Sequence, residues 1–209
     1  MASKYPYLRL SVPPVIICLT LYASPTLAED SVRGLYAGAG WLKASFKNNC
    51  AAVSELGFSG RCDDQDGSWK ALLGGGLSEH WDWELGYYRG VESDLSGTIN
   101  SNPVTGKTEV SSLASLSLLN RVSLGSEFSL FARIGGYYWD LDTHAQGSST
   151  SVSLSDEGWD VLIGFGADLD LGKSAMIRFE WERFVAIGND ETTGEDDIDA
   201  WSASLIYKF

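Results

Sequence analysis

Beyond its first 28 residues, the 209-residue sequence has no long apolar run and one proline, Pro103. The missing run excludes a membrane helix, which needs about 20 consecutive apolar residues. The scarcity of proline leaves strand interiors open to pairing, because proline removes a ladder donor. Cations are scarce too: 15 Lys and Arg stand against 28 Asp and Glu, for a formal net charge of −13. Such a balance argues against nucleic acid and against a basic lipid-binding patch, since phosphates are held by Lys and Arg. There are only two histidines, His80 and His144. His80 falls in a short turn and His144 opens a Ser/Thr-rich loop, and neither sits in a hydrolase motif. Nucleophilic hydrolysis generally needs a His beside a Ser or Asp system, so no enzyme is expected. No Cys/His set resembles a zinc site, so neither a metal nor a cofactor is expected.

A leader is present. Lys4 and Arg9 form a positive region, Val15 to Tyr22 form a short apolar core, and Ser24-Pro25-Thr26-Leu27-Ala28 supplies small residues for cleavage. Residues 1–28 therefore read as a secretory signal peptide cut after Ala28. Cys18 belongs to its apolar core, because Ile17 stands where a lipoprotein signal wants Gly or Ala. Residues 29–209 suit a single domain of 181 residues carrying a formal charge of −15. Cys50 and Cys62 then face an oxidising compartment and are expected to bond. A ring of 13 residues is worth about 3 kcal/mol in chain-entropy terms.

The dominant pattern has a period of two, the side-chain repeat of a strand. Phe209, Tyr207, Leu205, Ala203 and Trp201 share one face, and Lys208, Ile206, Ser204 and Ser202 the other. Eight such segments are expected near 33–47, 66–78, 81–93, 109–124, 127–142, 156–170, 173–188 and 198–209. Short turns at Ser78-Glu79-His80, Gly125-Ser126 and Leu171-Gly172 alternate with long polar loops near 48–65, 94–108, 143–155 and 189–197, with Pro103 in a loop. Tight turns at one end and long loops at the other are the plan of a transmembrane barrel. The apolar face carries Trp41, Trp83, Tyr87, Leu116, Ile134, Phe165, Phe179 and Trp181. The opposite face carries Gly, Ser and scattered charges. An eight-stranded lumen has room only for side chains, so the small and charged face belongs inside. The aromatic face belongs in lipid, with girdles at both interfaces. The expected fold is all-β: an eight-stranded antiparallel up-and-down transmembrane β-barrel, monomeric because closure leaves no sheet edge.

The segments Gly34-Leu35-Tyr36-Ala37-Gly38-Ala39-Gly40, Trp83-Glu84-Leu85-Gly86-Tyr87, Arg133-Ile134-Gly135-Gly136, Arg178-Phe179-Glu180-Trp181 and Tyr207-Lys208-Phe209 resemble the transmembrane domain of the outer membrane protein A family. The resemblance covers nearly all of 33–209. Larger members continue into a peptidoglycan-binding domain, whereas this sequence stops at Phe209, so no cell-wall tether is expected. The bonded first loop also departs from the plain loops of well-known members, so their surface partners do not carry over. The resemblance implies that Tyr207 and Phe209 form a membrane insertion signal read by the barrel-assembly machinery after passage with periplasmic chaperones. It also implies that Glu84 pairs with Arg178 in the lumen, with Arg121 nearest to the alternative basic partner. Arg133, Asp168, Glu180 and Glu182 would complete the network. That network reads either as a plug holding the barrel closed, the favoured reading, or as a gate whose exchange of partners opens a narrow path.

Glu84 and Glu180 could suggest acid–base hydrolysis of a sugar, but a lumen this narrow and lined with arginines does not admit one. Asp63-Asp64-Gln65-Asp66-Gly67 faintly resembles a calcium loop without its full ligand spacing. These acids, with Asp190, Glu191, Glu195, Asp196, Asp197 and Asp199, read as solvated groups bridged by divalent ions near lipopolysaccharide. The expected function is structural or surface-interacting through the extracellular loops, with outer-membrane lipids and lipopolysaccharide as partners and a loop-borne ligand possible. The alternative is a narrow, porin-like channel of low conductance for ions or small solutes.

Overall fold

The computed structural model describes residues 34–47, 50, 54, 57–99, 101–147, 151–189 and 194–209. The expected leader, its cleavage point, Asp190 and Glu191 lie outside the described residues. The strands are β1 (Leu35–Phe46), β2 (Phe58–Asp63), β3 (Gln65–Gly76), β4 (Trp81–Ile99), β5 (Asn102–Ser123), β6 (Phe128–Gly147), β7 (Ser151–Asp170), β8 (Ala175–Asn189) and β9 (Gly194–Lys208). β2 and β3 are two halves of one barrel strand interrupted at Asp64. β2 pairs the outer half of β4, and β3 the inner half. Asp63 and Asp66, from the acidic segment after Cys62, serve this interruption: Asp63 accepts the Gln65 N–H, and Asp66 accepts those of Gly67 and Glu92.

Eight antiparallel barrel strands close on themselves through the β4–β5 and β1–β9 ladders. The stagger follows from the register. Successive partners run from Leu35 through Gly75, Trp83, Leu118, Ile134, Ile163, Arg183 and Asp199 to Ser45. One circuit therefore returns to β1 ten residues farther along. With a rise of about 3.3 Å per residue and about 4.8 Å between strands, that shear tilts the strands by about 40°.

The outward face meets the expectation for lipid. Leu116, Ile134, Phe165, Phe179 and Leu205 are all exposed along the middle of the barrel. Trp81, Phe128, Tyr207 and Phe209 ring the end with the tight turns, and Trp41, Trp69, Tyr87, Trp159 and Trp201 ring the other. Rings packed in pairs, such as Trp69 with Tyr87 and Tyr138 with Trp159, stiffen the second belt.

The structure corrects the sequence reading in several places, one of them the expected loop near 48–65, where Phe58–Asp63 form β2. The segments near 94–108 and 143–155 are mostly strand, with ladders continuing to Ile99↔Asn102 and Gln146↔Ser151. Beyond the membrane both faces can be polar, so the alternation fades while backbone pairing persists. Pro103 accordingly lies in β5, opposite Thr98 and one residue from the strand start, where a missing N–H is tolerated. His144 lies in β6, between Lys107 and Ser153. The interior is also not polar throughout. Above the charged zone, Leu42, Phe46, Leu113, Trp139, Phe184 and Ile198 join a buried apolar core, while the residues alternating with them on β1 are Lys43 and Ser45. Polarity thus inverts on leaving the membrane. Lipid rewards apolar groups outside, and water rewards them inside.

Cys50 and Cys62 are bonded, with Cα atoms 5.8 Å apart. Two outcomes follow. In detergent, unboiled protein should migrate faster on a gel than boiled protein, as closed barrels do, and identical mobility would contradict closure. Reduction should leave that shift intact while lowering stability by about 3 kcal/mol, measured as a shift in the urea midpoint.

Candidate functional site: the charged lumen

Period-two geometry sends the side chains of Lys70 on β3, Asp82 and Glu84 on β4, Arg121 on β5, Arg133 on β6, Asp168 on β7, and Arg178, Glu180 and Glu182 on β8 inward, where all nine are buried. They form one continuous ladder along the barrel. At the turn end, Arg121 Nε lies 3.0 Å from Asp82 Oδ2, and the same guanidinium pairs with Asp168. Arg178 grips Asp168 in bidentate fashion, Nε to Oδ1 at 2.8 Å and Nη2 to Oδ2 at 3.2 Å. Its Nη1 reaches Glu84 Oε2 at 2.5 Å. Glu84 also accepts the Tyr36 hydroxyl at 3.0 Å and pairs with Arg133. Arg133 continues to Glu180 Oε1 at 2.8 Å and Glu182 Oε1 at 3.0 Å. Lys70 closes the ladder on Glu182 Oε2 at 2.7 Å and on Glu180, while the Tyr88 hydroxyl donates to Glu182 Oε1 at 2.5 Å.

Packing fixes these groups. Phe131 lies 4.6 Å from the Arg178 guanidinium and 5.3 Å from that of Arg121, within cation–π range. Its ring occupies the space over Gly166, where a Cβ would come within 2.5 Å of it. Tyr36 sits over Gly74 in the same way, at 2.4 Å from any added Cβ. Glycine on the inner face thus gives room to the rings that hold the charges. Small side chains, Ser115 and Ser117 on β5 and Ser202 and Ser204 on β9, line the remaining wall.

The seven lumen residues read from the sequence all enter this one network. Arg121, however, serves Asp82 and Asp168, and the second cation on Glu84 is Arg133. Lys70, Asp82, Tyr36 and Tyr88 were missed. Asp82 was legible, since it alternates with Glu84 between Trp81 and Trp83. Lys70 stands between outward Trp69 and Ala71, which placed its charge inside. The tyrosines were hidden because an aromatic reads as a lipid-facing residue until its register is known.

Charge outside the membrane is arranged differently. Asp199 and Arg183 form a bidentate pair at 2.6 and 2.7 Å, and Asp197 lies 3.6 Å from Lys47. Lys107 sits between Glu92 and Glu109 at 3.0 and 3.2 Å, and hydrogen bonds to both hold its ammonium above the usual range. Burial raises the Asp140 carboxyl above its ordinary range, with Asp142 and Glu157 adding to the effect. Among the described residues no group of three or more His, Cys, Asp or Glu is arranged to hold a metal.

The chain is similar in fold to several solved outer-membrane barrels. Against the attachment invasion locus protein Ail of Yersinia pestis the TM-score is 0.54 at 11% identity, covering 85% of this chain and 99% of that one. Against OprG of Pseudomonas aeruginosa it is 0.51 at 13% identity, covering 86% and 98%. Against the Neisserial surface protein A it is 0.51 at 9% identity, covering 86% and 100%. No curated protein matches the sequence. The family model for the outer membrane protein beta-barrel domain matches residues 15–209. With its closed barrel, lipid-facing belt and charged lumen, the chain belongs to that outer-membrane β-barrel family.

Proposed function

We propose that this protein is a closed, non-catalytic barrel of the outer membrane whose role is structural or surface-interacting through its extracellular strands and loops. The observation that carries this reading is the filled interior: a paired charge ladder capped by an apolar core. A water path would have to break several buried ion pairs and also cross the packed side chains above them. Loops on a rigid scaffold are where binding concentrates. Ail has been crystallised with a heparin analogue. The extracellular end of this chain is dominated by carboxylates, which favour cationic partners over a sulfated polyanion. Divalent ions bridging these acids to lipopolysaccharide fit the same charge. The reading includes export on a leader cut after Ala28, insertion through the barrel-assembly machinery signalled by Tyr207 and Phe209, and a monomeric state.

A second reading, a narrow channel, draws on one feature. Glu84 is shared by two arginines, so it has a partner to keep when the other is exchanged. Planar-bilayer recording separates the two. The closed barrel should give no steady conductance as wild type or as Glu84→Gln. Discrete openings that disappear or change size in Glu84→Gln or Arg178→Gln would favour the gate.

Stability tests the plug directly. Removing one member of a buried pair strands its partner, so Arg178→Ala and Lys70→Met should each cost about 3–5 kcal/mol. Truncating the apolar cap in Phe184→Ala should cost about 3–5 kcal/mol through the cavity it leaves. Urea unfolding in micelles measures both, and losses below about 1 kcal/mol would contradict a structural role for the ladder.

A further inference from the structure

The aromatic belt at the upper edge of the lipid zone is not the same all round. On β1, β4 and β8 it has cations beside it. Lys43 lies two residues above Trp41, Arg89 two above Tyr87, and the Arg183 guanidinium 5.2 Å from the Trp181 ring. On β6 and β7 it has acids instead. Tyr138 stands opposite Trp159 across the ladder, and in the next outward row above them Asp140 stands opposite Glu157. The two rings pack with centroids 5.2 Å apart, and Trp159 is 73% exposed. The Tyr138 hydroxyl donates to Glu157 Oε2 at 2.5 Å, which orients that carboxylate without neutralising it. Among the described residues no cation lies over either ring, and neither Asp140 nor Glu157 has an ion-pair partner. Lys107 on neighbouring β5 is held by Glu92 and Glu109, and Arg183 by Asp199. The raised Asp140 carboxyl fits a site with no cation at hand.

The lipid-facing surface directly below is recessed. Gly136 lies two residues below Tyr138 on the same outward face, between exposed Leu116 on β5 and exposed Val161 on β7. A Cβ added at Gly136 would meet only the Asp160 carbonyl oxygen, at 3.7 Å. A groove therefore runs up the apolar wall and ends at two rings and two carboxylates. Ring faces beside carboxylates suit an organic ammonium, which is attracted to the ring quadrupole. A hard divalent ion wants more oxygens than two carboxylates supply. Tyr and Trp at this height mark the level of lipid headgroups.

We propose that this face of β6 and β7 holds one lipid with an alkylammonium headgroup. The cation sits between Asp140 and Glu157 against the Tyr138 and Trp159 rings, and an acyl chain lies along the groove over Gly136. The site requires the barrel to stand in a bilayer but not that its loops bind anything. The test uses the full chain in nanodiscs of phosphatidylglycerol with a minor fraction of phosphatidylcholine of the same chains. Magnetisation transfer from the choline methyls to the Trp159 and Tyr138 rings is expected. After extraction into mild detergent, native mass spectrometry should find phosphatidylcholine retained at least fivefold over its share of the supply. Retention should fall to parity in the Asp140→Asn, Glu157→Gln double variant and several-fold in Trp159→Leu and in Gly136→Leu, which fills the groove. All four positions face outward, so each variant should keep its unboiled gel shift. No preference for phosphatidylcholine, a preference that survives the double variant, or methyl contacts confined to other aromatics would overturn the site. Soluble tetramethylammonium might instead give the same ring contacts while Gly136→Leu retains lipid as wild type does. That result would leave a site for free cations and overturn the lipid assignment.

Discussion

A strand that crosses lipid must have both edges paired, because the hydrocarbon offers no water to a stray N–H or C=O, and each unmet group costs several kcal/mol. Closure is therefore the constraint from which the rest follows. Eight strands with a stagger of ten residues set the tilt, and the tilt sets a lumen just wide enough for side chains. Inside that width no charge can be solvated by bulk water, so every inward ionisable group needs a partner from another strand. The ladder from Asp82 to Lys70 meets this need, with each of β3 to β8 contributing at least one charge.

The same closed sheet serves two solvents. In the lower half the charged groups face inward, beside Phe131 and a small apolar cluster of Tyr36, Leu72, Met176 and Ile206, while the outward groups that meet lipid are apolar. In the upper half Leu42, Leu113 and Phe184 face inward while Lys43, Arg89 and Glu157 face water. The upper half is thus a small water-soluble barrel built on a membrane barrel, and its apolar core seals the charged zone beneath. Among the described residues the two-sided ladders lapse where β7 outruns β8 and along β2, which pairs β4 alone, and both stretches lie beyond the lipid-facing belt, where water can meet backbone groups.

Much of this was legible in the sequence. Trp81-Asp82-Trp83-Glu84 states the lower-half alternation directly, and the glycines opposite Trp and Phe identified the inner face. The eight segments, the tight turns and the Cys50–Cys62 pair were all readable because each has a local signature. Strand length beyond the membrane was not, since Thr98, Pro103 and Ser153 carry no alternation and owe their structure to partners on neighbouring strands. Partner choice inside the lumen was hidden for a related reason. Which carboxylate meets Arg121 depends on the stagger between β4, β5 and β7, a property of the closed sheet that no one segment encodes. The inversion of polarity was present in Trp41-Leu42-Lys43-Ala44-Ser45-Phe46, where the apolar parity switches sides, but it gains meaning only once the membrane boundary is placed.

In nanodiscs, paramagnetic relaxation of side-chain methyls, by one spin label confined to lipid tails and another dissolved in water, reports which methyls meet lipid, which meet water and which meet neither. A lipid-facing barrel with a sealed upper core should have Leu116, Ile134 and Ile163 relaxed by the lipid label alone, and Leu42, Leu113 and Ile198 relaxed by neither. Relaxation of Leu42, Leu113 and Ile198 by the water-soluble label would mean an open lumen. Relaxation of Ile134 by that label, with none from lipid, would mean that the barrel does not face the membrane as described.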